Sequence, residues 1–310
     1  MTEDILVLRA LGLGDLMTAV PALRGLRRAH PDARITLATP ESLHAMAFLT
    51  GAIDGVLATP RLGQLPVPPQ RPTLAVNLHG RGPQSHADLR RTRPHRLFGH
   101  AHPDHPELLG PCWPADRHEI DRWCELLQWY GIDCDPLDVH VSAQQRNWLH
   151  TGAVVIHPGA SALSRRWPAL RYAVVAAHLH RQGAEVVITG DPSERLLAEY
   201  VAQRAGLPAT AVLAGTQTVT DLLALIEDAA LLICGDTGVA HLATATATAS
   251  VLLFGPTPPQ QWGPRTAGPH AVLWRGGTGD PHDDRPDRGL LEIGIEQVLD
   301  NAERMLRSSV

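Results

Sequence analysis

Residues 231–255 read LLICGDTGVAHLATATATASVLLFG. Leu231-Leu232-Ile233-Cys234 is an apolar run of strand length, Gly235-Asp236-Thr237-Gly238 is a turn, and residues 239 to about 249 form a small-residue segment that reads as a helix. A second apolar run, 250–254, is followed by Gly255-Pro256-Thr257-Pro258. Strand, helix and strand in this order make a βαβ unit, with a parallel pair and a right-handed crossover. The helix starts at the carboxyl end of a strand, so its free N–H groups and the positive end of its dipole suit an anion. Taken alone, the turn is equally well an N-cap at Asp236 or Thr237. His241, one turn into the helix, is by itself more readily a packing residue than a ligand.

Outward from this stretch, the second half repeats the pattern. Residues 154–156 form a strand leading to His157-Pro158-Gly159-Ala160-Ser161, and 169–182 form a helix closed by Gly183. A strand at 185–189 leads to Gly190-Asp191-Pro192-Ser193-Glu194, followed by helices at 195–205 and 220–228. A strand at 271–274, a Gly/Asp/Pro-rich loop and an amphipathic helix at 290–306 complete it. The first half opens with a strand at 5–9, the turn Leu11-Gly12-Leu13-Gly14-Asp15, and a helix to about residue 29 with Leu16, Val20, Leu23 and Leu26 at helical spacing. Strands at 35–38, 53–57 and 74–78 and a short helix at 42–49 make it doubly wound as well. Residues 80–117 are rich in Arg, His and Pro and read as a solvated loop-and-helix face or an acceptor-binding region. An amphipathic helix at 116–130 follows, and a linker is expected near 140–152. The fold class is therefore α/β: two Rossmann-like parallel-sheet domains, 1–150 and 151–310, facing an interdomain cleft, with the last helix able to return to the first domain.

Composition narrows the function. The chain has 310 residues and a net charge of −5, which argues against nucleic acid as the main partner. All 27 basic residues are Arg. The four cysteines, Cys112, Cys124, Cys134 and Cys234, lack C-x-x-C spacing and read as reduced thiols. The N-terminus is acidic and enters a strand at once, so neither a signal peptide nor a membrane span is expected, and the setting is cytoplasmic, free or resting on the inner face of the membrane. His95, His100, His102 and His105 cluster, but no Cys or carboxylate set accompanies them, so no metal is expected there.

Several motifs then line up: Gly12-Leu13-Gly14-Asp15 with Pro21-Ala22-Leu23; His157 to Ser161 with Arg165-Arg166-Trp167-Pro168; Gly190 and Glu194; Asp236-Thr237-Gly238-Val239-Ala240-His241; and Phe254-Gly255-Pro256-Thr257. In this order and spacing the chain resembles glycosyltransferase family 9, the ADP-heptose:lipopolysaccharide heptosyltransferase-like enzymes. The resemblance implies a GT-B fold and an inverting transfer without metal or other cofactor, from a nucleotide-diphospho-sugar such as ADP-heptose to a hydroxyl of a glycan, glycolipid or natural product. It implies that Asp15 is the general base and that Arg165, where the family usually carries Lys, meets the diphosphate with Ser161 and the backbone N–H groups of Thr237 and Gly238. It further implies Glu194 at the ribose, the Leu213–Ala214 backbone near the adenine, and Asp236 and His241 on sugar hydroxyls. Gly14 and the cluster Arg90, Arg91 and Arg93 would face the acceptor.

Three other readings compete. An NAD-dependent oxidoreductase would need a third glycine where Leu16-Met17 stands. A sugar-nucleotide epimerase would share the GT-B fold. A nucleotide-sugar-binding protein without catalysis would have no use for Asp15.

Overall fold

The computed structural model describes residues 3–144, 149–265 and 268–308. The expected linker residues 145–148 lie outside them. Two compact units emerge, Met1–Val139 and His140–Val310. The first ends at Val139, ahead of the boundary expected at 150. Hydrogen bonds explain the difference: His140 Nδ1–H and the Val141 N–H both donate to the Ala245 carbonyl, at 2.8 and 3.2 Å, and the Ala143 N–H donates to Glu227 Oε2 at 2.8 Å.

In the first unit β1 (Asp4–Leu8), α1 (Leu13–Ala29), β2 (Arg34–Thr39), α2 (His44–Leu49), β3 (Gly55–Ala58), β4 (Leu74–Asn77), α3 (Gln84–Arg91), β5 (Arg96–Phe98) and α4 (Glu119–Trp129) follow one another. The strands form one parallel sheet of order β3-β2-β1-β4-β5. Central β1 is apolar on both faces because both are covered, and Val7 and Leu8 are fully buried. Leu16, Val20, Leu23 and Leu26, at the helical spacing read from the sequence, are fully buried, and α1 packs on α4. A Cβ at Gly25 would run into Cys134, so the chain after α4 sits directly on the α1 backbone.

The second unit runs β6 (Val154–His157), α5 (Ala169–Arg181), β7 (Val186–Ile188), α6 (Arg195–Ala205), α7 (Val219–Glu227), β8 (Leu231–Gly235), α8 (Gly238–Thr246), β9 (Ser250–Leu253), α9 (Pro259–Trp262), β10 (His270–Leu273), α10 (Arg288–Leu291) and α11 (Ile295–Ser308). Its sheet, also parallel, has the order β10-β9-β8-β6-β7. α8 stops at Thr246, where Ala247 turns left-handed at φ 55°, three residues before the expected end. The single C-terminal helix of the sequence reading is two helices. Val298 and Ala302 of α11 are fully buried in this unit's core, where the helix packs on α5 and β9. No helix among the described residues is long and apolar enough to cross a membrane.

Candidate functional site

Strand order reverses between β1 and β4 in one unit and between β6 and β8 in the other. Loops leaving the carboxyl ends of such neighbours part and open a crevice. The site residues expected in the second unit lie on loops or helix starts that follow β6, β7 or β8, except His241, inside α8, and Leu213, between α6 and α7.

The loop after β6 carries Ser161 and ends in a short 3-10 turn, Leu163–Arg165. Arg165 folds back so that Nη2 donates to Ser161 Oγ and Nη1 reaches the Asp236 carbonyl at 3.5 Å. The Arg165 backbone crosses β8 so closely that a Cβ on Gly235 would lie 3.0 Å from the Arg165 carbonyl oxygen, tighter than an ordinary side-chain contact. Asp236 follows as a buried carboxyl. Burial pushes its pKa up to about 6, against the nearby Arg165 charge and a hydrogen bond from Thr257. Thr237 occupies the N-cap position of α8 in extended conformation, and its side chain makes no capping bond. Arg165 Nε, beside it, is a buried donor with no partner. The sequence thus builds a helix N-terminus without its usual side-chain cap and sets a guanidinium at its mouth. Both features attract an anion.

A second group joins the same loop to the one after β7. Asp191 and Glu194 form a reciprocal cap: Asp191 Oδ1 accepts from the Ser193 and Glu194 N–H groups, and Glu194 Oε2 accepts from the Asp191 N–H at 3.0 Å. A Cβ on Gly159 would land on the Glu194 carboxylate. Burial raises the Glu194 pKa. His157 lies 3.8 Å from Glu194 Oε2 and within 3.1 Å of Thr189 Oγ1, and burial lowers its pKa to about 4, so the ring is neutral. The Leu213 N–H donates to the Ile188 carbonyl and the Gly215 N–H to that of Gly190, which brings the Leu213–Gly215 backbone beside Glu194. His241, in the first turn of α8, lies edge-on to Trp262 at 5.9 Å between centroids.

In the first unit Asp15 is the third residue of α1, so it is not the N-cap. One oxygen accepts from the Gly12 N–H at 3.2 Å and the other faces Arg9 Nη2 at 3.4 Å. Gly14, half-buried, is the residue before it. The arginine cluster is engaged internally: Arg90 pairs with Glu107, Arg91 with Asp88 at 3.0 Å, and Arg96 with Glu3 at 3.5 Å. Arg93 is exposed with φ 55°, and its carbonyl accepts from Arg71. Three residues were not singled out from sequence: Thr257, which bonds Asp236 in the second unit, and Arg9 and Glu119, which join Asp15 in the first. Thr257 stood in a quoted motif, and Arg9 ends the strand before Gly12, but Glu119 carries no local signal.

A family model described as glycosyltransferase family 9 (heptosyltransferase) matches residues 113–278. A lipopolysaccharide heptosyltransferase 3 of Escherichia coli is 33% identical over 162 residues, covering 50% of this chain and 47% of that protein. The alignment thus spans about half the length of that curated relative. Among solved structures, a family 9 glycosyl transferase from Veillonella parvula superposes with a TM-score of 0.81 at 22% identity, covering 99% of this chain and 98% of that one. The E. coli ADP-heptose lipopolysaccharide heptosyltransferase II superposes with a TM-score of 0.77 at 19% identity, covering 98% and 99%. At these identities the structures bear on fold alone, and that fold is GT-B.

Proposed function

Because the chain belongs to glycosyltransferase family 9, we propose that it transfers a sugar from a nucleotide-diphosphate donor to a hydroxyl group with inversion at the anomeric carbon. The observation that carries this reading is the buried, unpartnered Nε of Arg165 beside the start of α8, whose N-cap side chain makes no capping bond. Two phosphates supply the acceptors that such a site lacks, and the guanidinium can fork across them. As the glycosidic bond to the leaving diphosphate breaks, negative charge grows on the phosphate oxygen. Arg165, the Ser161 hydroxyl and the Thr237 and Gly238 N–H groups stabilise it without a divalent ion. Glu194 accepts from the ribose hydroxyls beside the Leu213 backbone, and Asp236 and His241 hold hydroxyls of the sugar. Asp15 takes the proton of the attacking hydroxyl. The names of the relatives support heptose as the sugar, ADP as the nucleotide and a glycan or glycolipid as acceptor. A cytoplasmic setting, free or at the inner face of a membrane, goes with that reading.

Calorimetric titration of ADP tests the donor site. Arg165→Ala should weaken binding by about 1.5–3 kcal/mol, as for a charge-assisted hydrogen bond. Unchanged affinity would leave Arg165 a surface charge. In the same preparation, Asp15→Asn should keep ADP affinity and lose ADP release from ADP-heptose by at least about a hundredfold. Excess EDTA should leave the wild-type rate unchanged; a rate abolished by EDTA and restored by Mg²⁺ would overturn the metal-free mechanism.

A further inference from the structure

Arg9 follows β1 directly and is fully buried. An unpaired guanidinium there would cost several kcal/mol, so its partners account for its presence. Nε donates to the Asp15 carbonyl at 2.9 Å, Nη1 to the Leu78 carbonyl, and Nη2 to Thr18 Oγ1 at 3.1 Å and Glu119 Oε1 at 3.0 Å. The same Nη2 lies 3.4 Å from Asp15 Oδ1. The guanidinium carbon sits 4.8 Å from the Trp123 ring centroid, and Trp123 Nε1 donates to Glu119 Oε1 at 2.8 Å. Glu119 Oε2 in turn accepts from Arg122. Asp15, Arg9, Glu119 and Arg122 therefore form one ionic chain of two anions and two cations. Side-chain exposures along it are 28%, 0%, 6% and 10%, so Asp15 is the end nearest solvent.

We infer that Arg9, backed by Glu119, is a positioning residue for Asp15: it fixes both the backbone and the carboxylate of that residue before substrate arrives. This rests on the reading of Asp15 as the base. A carboxylate in a first helical turn ordinarily turns freely about its terminal bond. Here Oδ2 is held by the Gly12 N–H and Oδ1 faces Arg9, while Arg9 Nε also holds the Asp15 carbonyl. An arginine needed only for core stability would have been satisfied by Leu78, Thr18 and Glu119. Glu119 has a second effect. A bare cation at this distance would over-stabilise the carboxylate and make it a poor base, and a carboxylate on the same guanidinium nitrogen offsets part of that field.

The other titratable groups around this chain are assigned by element. At the end of β4, His79 accepts from the Ala10 N–H, and burial together with the Arg9 charge lowers its pKa to about 4. His118 caps α4, which also carries Glu119 and Arg122. His100 lies against Trp123, its pKa lowered to about 4 by burial and the Arg122 charge. Asp88 acts on His79 from α3. Both lowered histidines are neutral at pH 7, while Arg9 and Glu119 carry their charges beside Asp15.

The test uses the full chain and reads ADP release from ADP-heptose as the heptosyl group passes to water, whose proton Asp15 would take. Arg9→Lys cannot reproduce the fork. It should lower kcat by about 10–100-fold while KM for ADP-heptose moves by less than about twofold. In the Asp15→Asn background the same substitution should cost less than about threefold, since the residue it positions is gone. Glu119→Gln keeps the shape and removes the charge, so it should move the acid limb of kcat/KM to lower pH. Additive losses in the double variant, or an acid limb unmoved in Glu119→Gln, would overturn the inference. The second measurement does not depend on how well Arg9→Lys folds. If Asp15→Asn alone were fully active, the reading of Asp15 as base would fall instead, which is a different outcome from additivity.

Discussion

Asp236 is costly where it stands. Its carboxyl is buried, and its pKa of about 6 against an ordinary 3.8 means that folding favours the protonated form. An acid whose pKa is raised in the folded state binds more protons folded than unfolded between those two values. Its contribution to stability therefore falls as pH rises from about 3.8 to 6 and is lowest above that. At pH 7.5 the carboxylate costs about 3 kcal/mol. Asp236→Asn should accordingly raise the melting temperature at pH 7.5 by a few degrees, and the gain over wild type should shrink at pH 4.5. Paired thermal scans at the two pH values check it; a variant less stable than wild type at pH 7.5 would show that the hydrogen bond from Thr257 outweighs the burial. The same variant should bind ADP at least as tightly as wild type, having one anion fewer beside the phosphates, while losing its preference for ADP-heptose over ADP. A residue that weakens the fold at working pH is the kind expected at a site shaped for a ligand.

At the scale of elements, the loops after β6 and β7 interlock through Gly159 and Glu194. Gly159→Ala would put a methyl group where the carboxylate lies, and Glu194 would be driven from its bond to Asp191. Urea midpoints should show a loss of about 1–3 kcal/mol. Glu194→Ala should return most of that stability to the double variant without restoring ADP affinity, and plain additivity would argue against the interlock. The glycine was visible in the sequence, but its counterpart was not, because the contact joins residues on different loops. The same holds across the molecule. The βαβ unit at 231–253 was legible because buried parallel strands are nearly all apolar and the turn between them is polar. β5 was missed: it has three residues, Arg96-Leu97-Phe98, at a sheet edge inside an Arg- and His-rich segment, too short for a period to register. The last helix was read as continuous because its apolar spacing runs on, while the helix is interrupted between Leu291 and Ile295, at Glu292, Ile293 and Gly294, where the Ile293 carbonyl accepts from Trp167 Nε1. Arg9 and Glu119 meet across 110 residues of sequence, beyond any local pattern.

For the molecule as a whole, acid is the expected weakness. His79, His86, His100 and His157 all have pKa values lowered to about 4, burial being the largest cause in each. Unfolded, each would take its proton near pH 6.5, so the unfolded chain binds more protons between about 6.5 and 4 and stability falls as the pH drops through that window. For buried His157 the whole span is worth about 3 kcal/mol. Asp138, Asp191 and Asp221, held below their usual range by hydrogen bonds, add losses in the same direction at lower pH. Urea midpoints from pH 7 to pH 4 should decline steeply, and His157→Gln should flatten the decline; an equal slope in that variant would mean that His157 is charged in the folded protein. Each of the two sheets, finally, is made of strands from one unit alone. In the gene, each sheet is therefore written as one unbroken segment, and a crossover between the codons of Val139 and His140 would separate no strand from its ladder partners. Recombination at that joint can exchange either half of the coding sequence among relatives, so a lineage can inherit a new Asp15-bearing half without redrafting the one that carries Arg165 and Asp236.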